Sequence, residues 1–265
     1  MNKINSDLEY SLVLSGGGAL GIASLKTLKM LEENNIKYSE VIGTSIGAII
    51  GSCVALGMKS NEIYKIFKEF SSVYTWIKFS FNGNSIIKKD KIEKLLKKYF
   101  QDKKISDTSI PLKIISTDIS TGNTKEWNCN DDITIVDAIL SSIAIPGIFE
   151  EITREDSTFV DGFLGSNLGV LHTQSNNIIA IDVLGSSSHK PNLPNNFFKT
   201  KNVLEMLEKS MRLLIINQTK SNIEILKLKN KSVNLNLFEI NTSNFKTFDF
   251  HKHEELYKLE PIRII

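Results

Sequence analysis

The chain reads as an α/β domain built on a mostly parallel sheet with helices on both faces. Two observations predict this. Short, wholly apolar runs recur along the chain without the polar alternation of a half-exposed strand, and amphipathic helical stretches separate them. Strands buried on both faces and joined by helices make a parallel sheet sandwiched between helical layers.

The elements follow in order. Ser11 to Leu14 forms a short apolar strand that runs into Gly16, Gly17 and Gly18. From Ala19 a helix follows, with Ile22, Leu25, Leu28 and Leu31 on one face, ended by Asn34 and Asn35. Val41 and Ile42 form the second strand. Gly43-Thr44-Ser45-Ile46-Gly47 then turns into an apolar helix, Ala48 to Leu56, stopped by Gly57. Ser60 caps a helix reaching about Ser71, and Lys88 to Phe100 is amphipathic, with Ile92, Leu95, Leu96 and Tyr99 on one side. Leu112 to Ser116 reads as a buried strand, and Ile133 to Ile143 as a helix ending near Pro146. Thr158 to Val160 is a short strand leading into Asp161-Gly162, and Ile178 to Leu184 is another buried strand. A long helix from about Lys201 to Leu228 and a strand from Val233 to Ile240 complete the pattern. No internal repeat or Pro/Ser-rich linker divides the 265 residues, so a single domain over 1–265 is expected.

Bulk composition narrows the function. Hydrophobic residues make up 41% of the chain, enough for a full core, and 23% are charged. A formal charge of +2, with basic and acidic residues intermixed, leaves no nucleic-acid footprint. No apolar stretch is long enough to span a bilayer or to serve as a secretory segment, which fits a cytoplasmic protein that can touch membranes from the water side. Cys53 and Cys129 have neither metal-ligand nor disulfide spacing, and Cys53 falls on a buried helix as an inert thiol. No metal and no cofactor is expected.

The chemistry concentrates at two glycine-rich turns. In Gly43-Thr44-Ser45-Ile46-Gly47 an apolar strand precedes the serine and a helix follows it, the context in which G-x-S-x-G lifts a nucleophilic hydroxyl above a sheet edge. Free N–H groups at the helix start favour developing negative charge nearby. The competing reading is a serine that merely caps the helix. Gly16, Gly17 and Gly18 sit in the equivalent turn after the first strand, where backbone amides can converge on a substrate oxygen. One crossover helix joins the two strands, so they lie side by side and both turns face one crevice. Gly16, Gly18 and Gly21 also satisfy the dinucleotide-binding G-x-G-x-x-G pattern, with Glu40 as its acid. That acid should close the second strand, whereas Glu40 opens it.

The four histidines, His172, His189, His251 and His253, lack glycine or strand-end settings, although the last two follow Ser45 in the order of an α/β-hydrolase triad. The carboxylate candidate is Asp161, in an Asp-Gly pair at the mouth of a short strand; an ordinary Asp-Gly turn is the plainer alternative. Tyr74, Trp76, Ile77, Phe79 and Phe81 form an aromatic stretch, read either as core packing or as an acyl-chain wall or membrane-touching lip built on Trp76 and Phe79.

Together, Gly16-Gly17-Gly18-Ala19-Leu20-Gly21, the Ser45 turn and Asp161-Gly162 resemble the patatin-like phospholipases, the compact bacterial members above all. Thr117-Asp118 followed by Gly122, and Ser142-Ile143-Ala144-Ile145-Pro146-Gly147, agree with the same family, and the resemblance covers residues 10 to 185. It implies a three-layer α/β/α fold and a Ser45–Asp161 dyad without histidine. It further implies oxyanion amides from Gly16, Gly17 and Gly18, and hydrolysis of phospholipid or lysophospholipid acyl esters, with room for peripheral membrane contact. Three positions depart from the pattern. Leu20 stands where a basic residue is frequent, Phe163 where a small residue follows Asp-Gly, and Gly169 where a proline follows the matching Asn167. Residues 190–265 lie beyond the resemblance and read as a helix and strand extension for packing or partner binding.

Overall fold

The computed structural model describes residues 4–69, 89–154, 156–189 and 200–265. Trp76 and Phe79 lie outside the described residues.

The strands, in chain order, are β1 (Glu9–Leu14), β2 (Lys37–Thr44), β3 (Leu112–Asp118), β4 (Thr124–Trp127), β5 (Ile152–Arg154), β6 (Ser157–Asp161), β7 (Asn177–Asp182), β8 (Asn234–Ile240) and β9 (Pro261–Arg263). They join one sheet in the order β5-β6-β3-β2-β1-β7-β8-β9, with β4 also paired to β3. Its centre, β3-β2-β1-β7-β8, is parallel throughout, and the antiparallel pairings lie at the flanks. Helices α1 (Ser24–Glu33), α2 (Ile46–Ala55), α3 (residues 60–69), α4 (Lys89–Phe100), α5 (Ile135–Ile143), α6 (Phe163–Ser166), α7 (Thr200–Lys229) and α8 (His253–Tyr257) surround it.

Period-2 alternation sorts the central strands onto two cores. Leu12, Leu14, Val41, Ile114, Ile179, Ile181 and Phe238 face one side, packed with Leu25, Leu28 and Leu31 of α1, Ile49 and Ile50 of α2, and Ile139 of α5. Val13, Ile42, Ile115, Ile178, Ala180 and Leu237 face the other, against Ile223 and Leu226 of α7. Both faces of the sheet are therefore buried, which is why β1 and β7 carry unbroken apolar runs. The result is the expected three-layer α/β/α arrangement. No helix among the described residues is long and apolar enough to cross a membrane.

Several boundaries differ from the sequence reading. The helix expected from Ala19 starts as a 3₁₀ helix over Gly18–Ala23 and becomes α-helical only at Ser24. Strands β4, β5 and β9 are short flank strands without an apolar run to announce them. Cys53 is buried, as its helix implied, and burial pushes its thiol up to about 12, where it is unreactive.

Glu40 proves to be structural. It lies buried on β2, 3.2 Å from Lys113 Nζ, with its other oxygen accepting hydrogen bonds from the Ser11 hydroxyl and the Gln174 amide. A carboxylate so committed is not available to a ribose, and the dinucleotide alternative loses its acid.

Candidate active site

The sheet itself brings Ser45 and Asp161 together. Thr44, the last residue of β2, pairs with Ile115 of β3. Asp161, the last residue of β6, pairs with the next residue, Ser116. Since β4 occupies the opposite edge of Ser116 and Thr117, β6 must approach β3 on the same edge as β2 and head-on to it. The two strand ends abut, and the residue after Thr44 meets Asp161. Ser45 Oγ donates to Asp161 Oδ2 at 2.6 Å.

Ser45 sits on a strained turn, with φ 54° and ψ −122°. A non-glycine residue held there marks a site where surrounding structure over-determines the backbone. Its amide donates to Ser142 Oγ, whose hydroxyl in turn donates to the Ile115 carbonyl. The turn is tight because α2 lies directly on β1. A Cβ on Gly47 would stand 2.4 Å from the Leu14 carbonyl oxygen, closer than any side chain allows. The Ser45 side chain makes no helix-capping bond, so the plain N-cap reading does not describe it.

Asp161 is fully buried, and desolvation pushes its carboxyl up to about 7 despite hydrogen bonds from the Ser45 hydroxyl and the Phe163 amide. Thr117 Oγ1 donates to the Asp161 carbonyl and accepts from the Gly165 amide, fixing the start of α6 under the site. Thr44 Oγ1, from the serine side, donates to the Ser166 carbonyl.

The glycine loop shares a cavity with Ser45 and Asp161. Gly17 and Gly18 have φ of 152° and 58°, both in the region glycine tolerates best. The loop's amides divide. Gly16 N donates to the Asn167 carbonyl and Ala19 N to the Thr247 carbonyl, whereas those of Gly17 and Gly18 make no hydrogen bond among the described residues. Gly17, Gly18, Ser45, Asp161 and Asn167 line one cavity of about 400 Å³, walled by Ile145, Ile148, Phe163, Leu184, Ile215 and Phe248. A smaller apolar slot of about 50 Å³, between Ile46, Ile49, Ile92, Phe149 and Phe250, opens beside Ser45 as well.

None of the four histidines lines either space. His172 Nδ1 lies 3.2 Å from Glu126 and His253 Nδ1 lies 3.1 Å from the Tyr64 hydroxyl. The departures from the family pattern sort by position. Leu20 is buried in the core, whereas Phe163 both walls the cavity and supplies the amide that holds Asp161. The C-terminal stretch, read from sequence as packing, reaches the site: Thr247 holds the glycine loop and Phe248 walls the cavity. Sequence reasoning also missed Ser142 as the anchor of the serine turn. Its only sequence signal was membership of the family-like segment ending in Pro146-Gly147.

Residues 12–173 match the family model described as patatin-like phospholipase. Among curated proteins, the chain is 27% identical to Lysophospholipase NTE1 of Candida glabrata, over 97% of this chain and 16% of that protein. It is 28% identical to Lysophospholipase NTE1 of Eremothecium gossypii, over 97% of this chain and 18% of that protein. The chain thus spans less than a fifth of the length of these relatives. Among solved structures, VipD from Legionella pneumophila superposes with a TM-score of 0.50 at 14% identity, covering 96% of this chain and 68% of that one, a likeness of fold. The family match covers well over half of the chain, and with it this chain belongs to the patatin-like phospholipases.

Proposed function

We propose that the chain hydrolyses carboxylic esters of membrane lipids, phospholipid or lysophospholipid, through an acyl-Ser45 intermediate with Asp161 as the only proton-transfer partner. The observation that carries this reading is the 2.6 Å hydrogen bond between Ser45 Oγ and a fully buried carboxylate beneath a largely apolar cavity, whose lining also includes Glu208 and Arg212. The names of the two NTE1 relatives favour a lysophospholipid among the lipid esters.

The steps follow from the groups present. Asp161, as carboxylate, takes the Ser45 proton while Oγ attacks the ester carbonyl carbon. The carbonyl oxygen becomes anionic between the Gly17 and Gly18 amides, while Gly16 holds the loop through its bond to Asn167. Asp161 then returns the proton to the leaving alcohol, leaving an acyl-serine. Asp161 next takes a proton from a water that attacks the acyl carbon, and passes it to the departing Ser45 Oγ, which frees the carboxylic acid and restores the serine. An ordinary carboxylate is a poor base for a serine hydroxyl. Here burial raises its affinity for the proton and contact removes the entropy of encounter.

The sign of the pH dependence follows. Asp161 works ionised, so the rate falls as pH drops through about 7 and reaches its plateau above it. Profiles of kcat/KM for p-nitrophenyl butyrate should keep this limb when His172, His189, His251 or His253 is changed singly to alanine. Loss of the limb in any one of those variants means that a histidine is the base.

The cavity also suggests how a lipid is met. Met211, on its lining, is 38% exposed, and Leu214, one turn along α7, is 69% exposed. Leu164, whose carbonyl accepts from Gln218 of α7, is 46% exposed. Exposed apolar side chains on the cavity lining and on the two helices beside it suit contact with a lipid aggregate. Leu214→Asp should weaken co-sedimentation with phosphatidylcholine vesicles and slow hydrolysis of lipid in them, with p-nitrophenyl butyrate turnover unchanged. Equal losses on both substrates would contradict a lipid-facing rim.

A further inference from the structure

Among the described residues, Asn167 is the one polar side chain lining the catalytic cavity whose hydrogen-bonding capacity is wholly unused. It is fully buried, and neither Oδ1 nor Nδ2 has a partner among those residues. Buried amides are nearly always satisfied, so an unsatisfied one in a reaction cavity points to a group that arrives with the substrate.

Its placement is specific. The backbone of Asn167 is fully engaged: its carbonyl accepts from Gly16 N and its amide donates to Gln218 Oε1 of α7. The side chain is thereby held against the turn that carries the glycine loop. A Cβ on Gly16 would stand 2.6 Å from Asn167 Oδ1 and 3.2 Å from Ser45 Cβ, so the amide and the serine meet at one point beside Gly16. A half-turn of the amide exchanges its oxygen and nitrogen, so either end can be presented. An ester offers only acceptors, and the free Gly17 and Gly18 amides lie on the same cavity wall.

We infer that Asn167 is a further catalytic residue, donating its Nδ2–H to the ester carbonyl oxygen as that oxygen becomes anionic, beside the Gly17 and Gly18 amides. This rests on the Ser45–Asp161 reading given above. It adds a side-chain donor to a site otherwise stabilised by backbone alone. No bond is made or broken by Asn167; its hydrogen bond strengthens as charge develops on the oxygen and weakens when the carbonyl re-forms.

The test compares wild type with Asn167→Ala and Asn167→Leu on p-nitrophenyl butyrate, and measures inhibition by an alkyl trifluoromethyl ketone, whose serine adduct carries the same oxyanion. The expected loss is on the order of 10²-fold or more in kcat with KM nearly unchanged, as for removal of one oxyanion donor. The inhibition constant of the ketone should rise in step. Near wild-type kcat in either folded variant overturns the inference, as does a loss in kcat with ketone inhibition unchanged. Should both variants fail to fold, Asn167→Asp keeps the shape without the permanent N–H donor, and the same two readouts decide. Ser45→Ala separates the underlying reading. If it retains turnover, the dyad itself is wrong. If it is inactive while the Asn167 variants remain fast, only the role of Asn167 falls.

Discussion

Asp161→Asn is expected to lower kcat on the order of 10³-fold or more while making the protein more resistant to heat at pH 8. Asparagine keeps the shape, its oxygen accepting from the Phe163 amide and its Nδ2 donating to the Ser45 hydroxyl, so substrate binding should be little changed and the loss should fall on kcat. The stability gain comes from burial. An unfolded aspartate titrates near ~3.9, whereas in the fold desolvation holds Asp161 up at about 7. The native state therefore binds the proton more tightly. Its stabilisation is complete below about pH 4 and is lost as pH rises through about 7. Above that, the wild type keeps a buried charge that the asparagine variant lacks. Each unit of such a shift corresponds to about 1.4 kcal/mol, so the difference is on the order of a few kcal/mol. Asp182, buried at the end of β7 and pushed up to about 6 by burial and then by Glu239, destabilises both proteins alike and drops out of the comparison. Thermal melts at pH 5 and pH 8 should show the advantage of Asp161→Asn shrinking toward the acid side. An advantage that grows there would mean that the carboxylate is stabilised as an anion.

On the proposed acyl-Ser45 mechanism, Ser45→Ala should abolish turnover to the background of the site, a fall of at least about 10³-fold, because it removes the covalent route. Its structural consequences are separable. The alanine inherits the same left-handed backbone, φ 54°, so the strain remains. Ser45→Gly loses the nucleophile equally but relaxes the turn, and should melt above Ser45→Ala. Two inactive variants ordered this way would show that the fold bears the strain for the sake of the hydroxyl. The reverse order would place the conformational demand elsewhere.

Of the five central strands, β1 and β7 were legible as unbroken apolar runs such as Leu12 to Leu14, which a strand covered on both sides requires, whereas β8 shows apolar residues alternating with Asn234, Asn236 and Glu239. The sequence did not reveal β4, β5 or β9, whose residues pack on flanks and carry no period long enough to read. The start of the first helix was misplaced because Gly18 to Ala23 satisfy helical spacing while following a 3₁₀ path. Ser45 and Asp161 were legible through glycines that only a tight turn requires. Their meeting was not, since it depends on β6 running head-on into the end of β2 along one edge of β3. Asn167 was visible as a family-like position, but nothing in the chain announced that its amide would be buried without a partner. The contribution of Thr247 and Phe248 was hidden for a related reason. Contacts between residues far apart in sequence, such as Ala19 N to the Thr247 carbonyl, leave no local pattern.

On the proposed mechanism Ser45 is a nucleophile activated by Asp161. Incubation with an alkyl fluorophosphonate, followed by digestion and mass spectrometry, tests it directly. A single adduct is expected, on the peptide carrying Ser45. Its formation should slow sharply in Asp161→Asn, and no adduct should form in Ser45→Ala. An adduct on another serine, or esterase activity that survives with Ser45 unlabelled, would contradict the account.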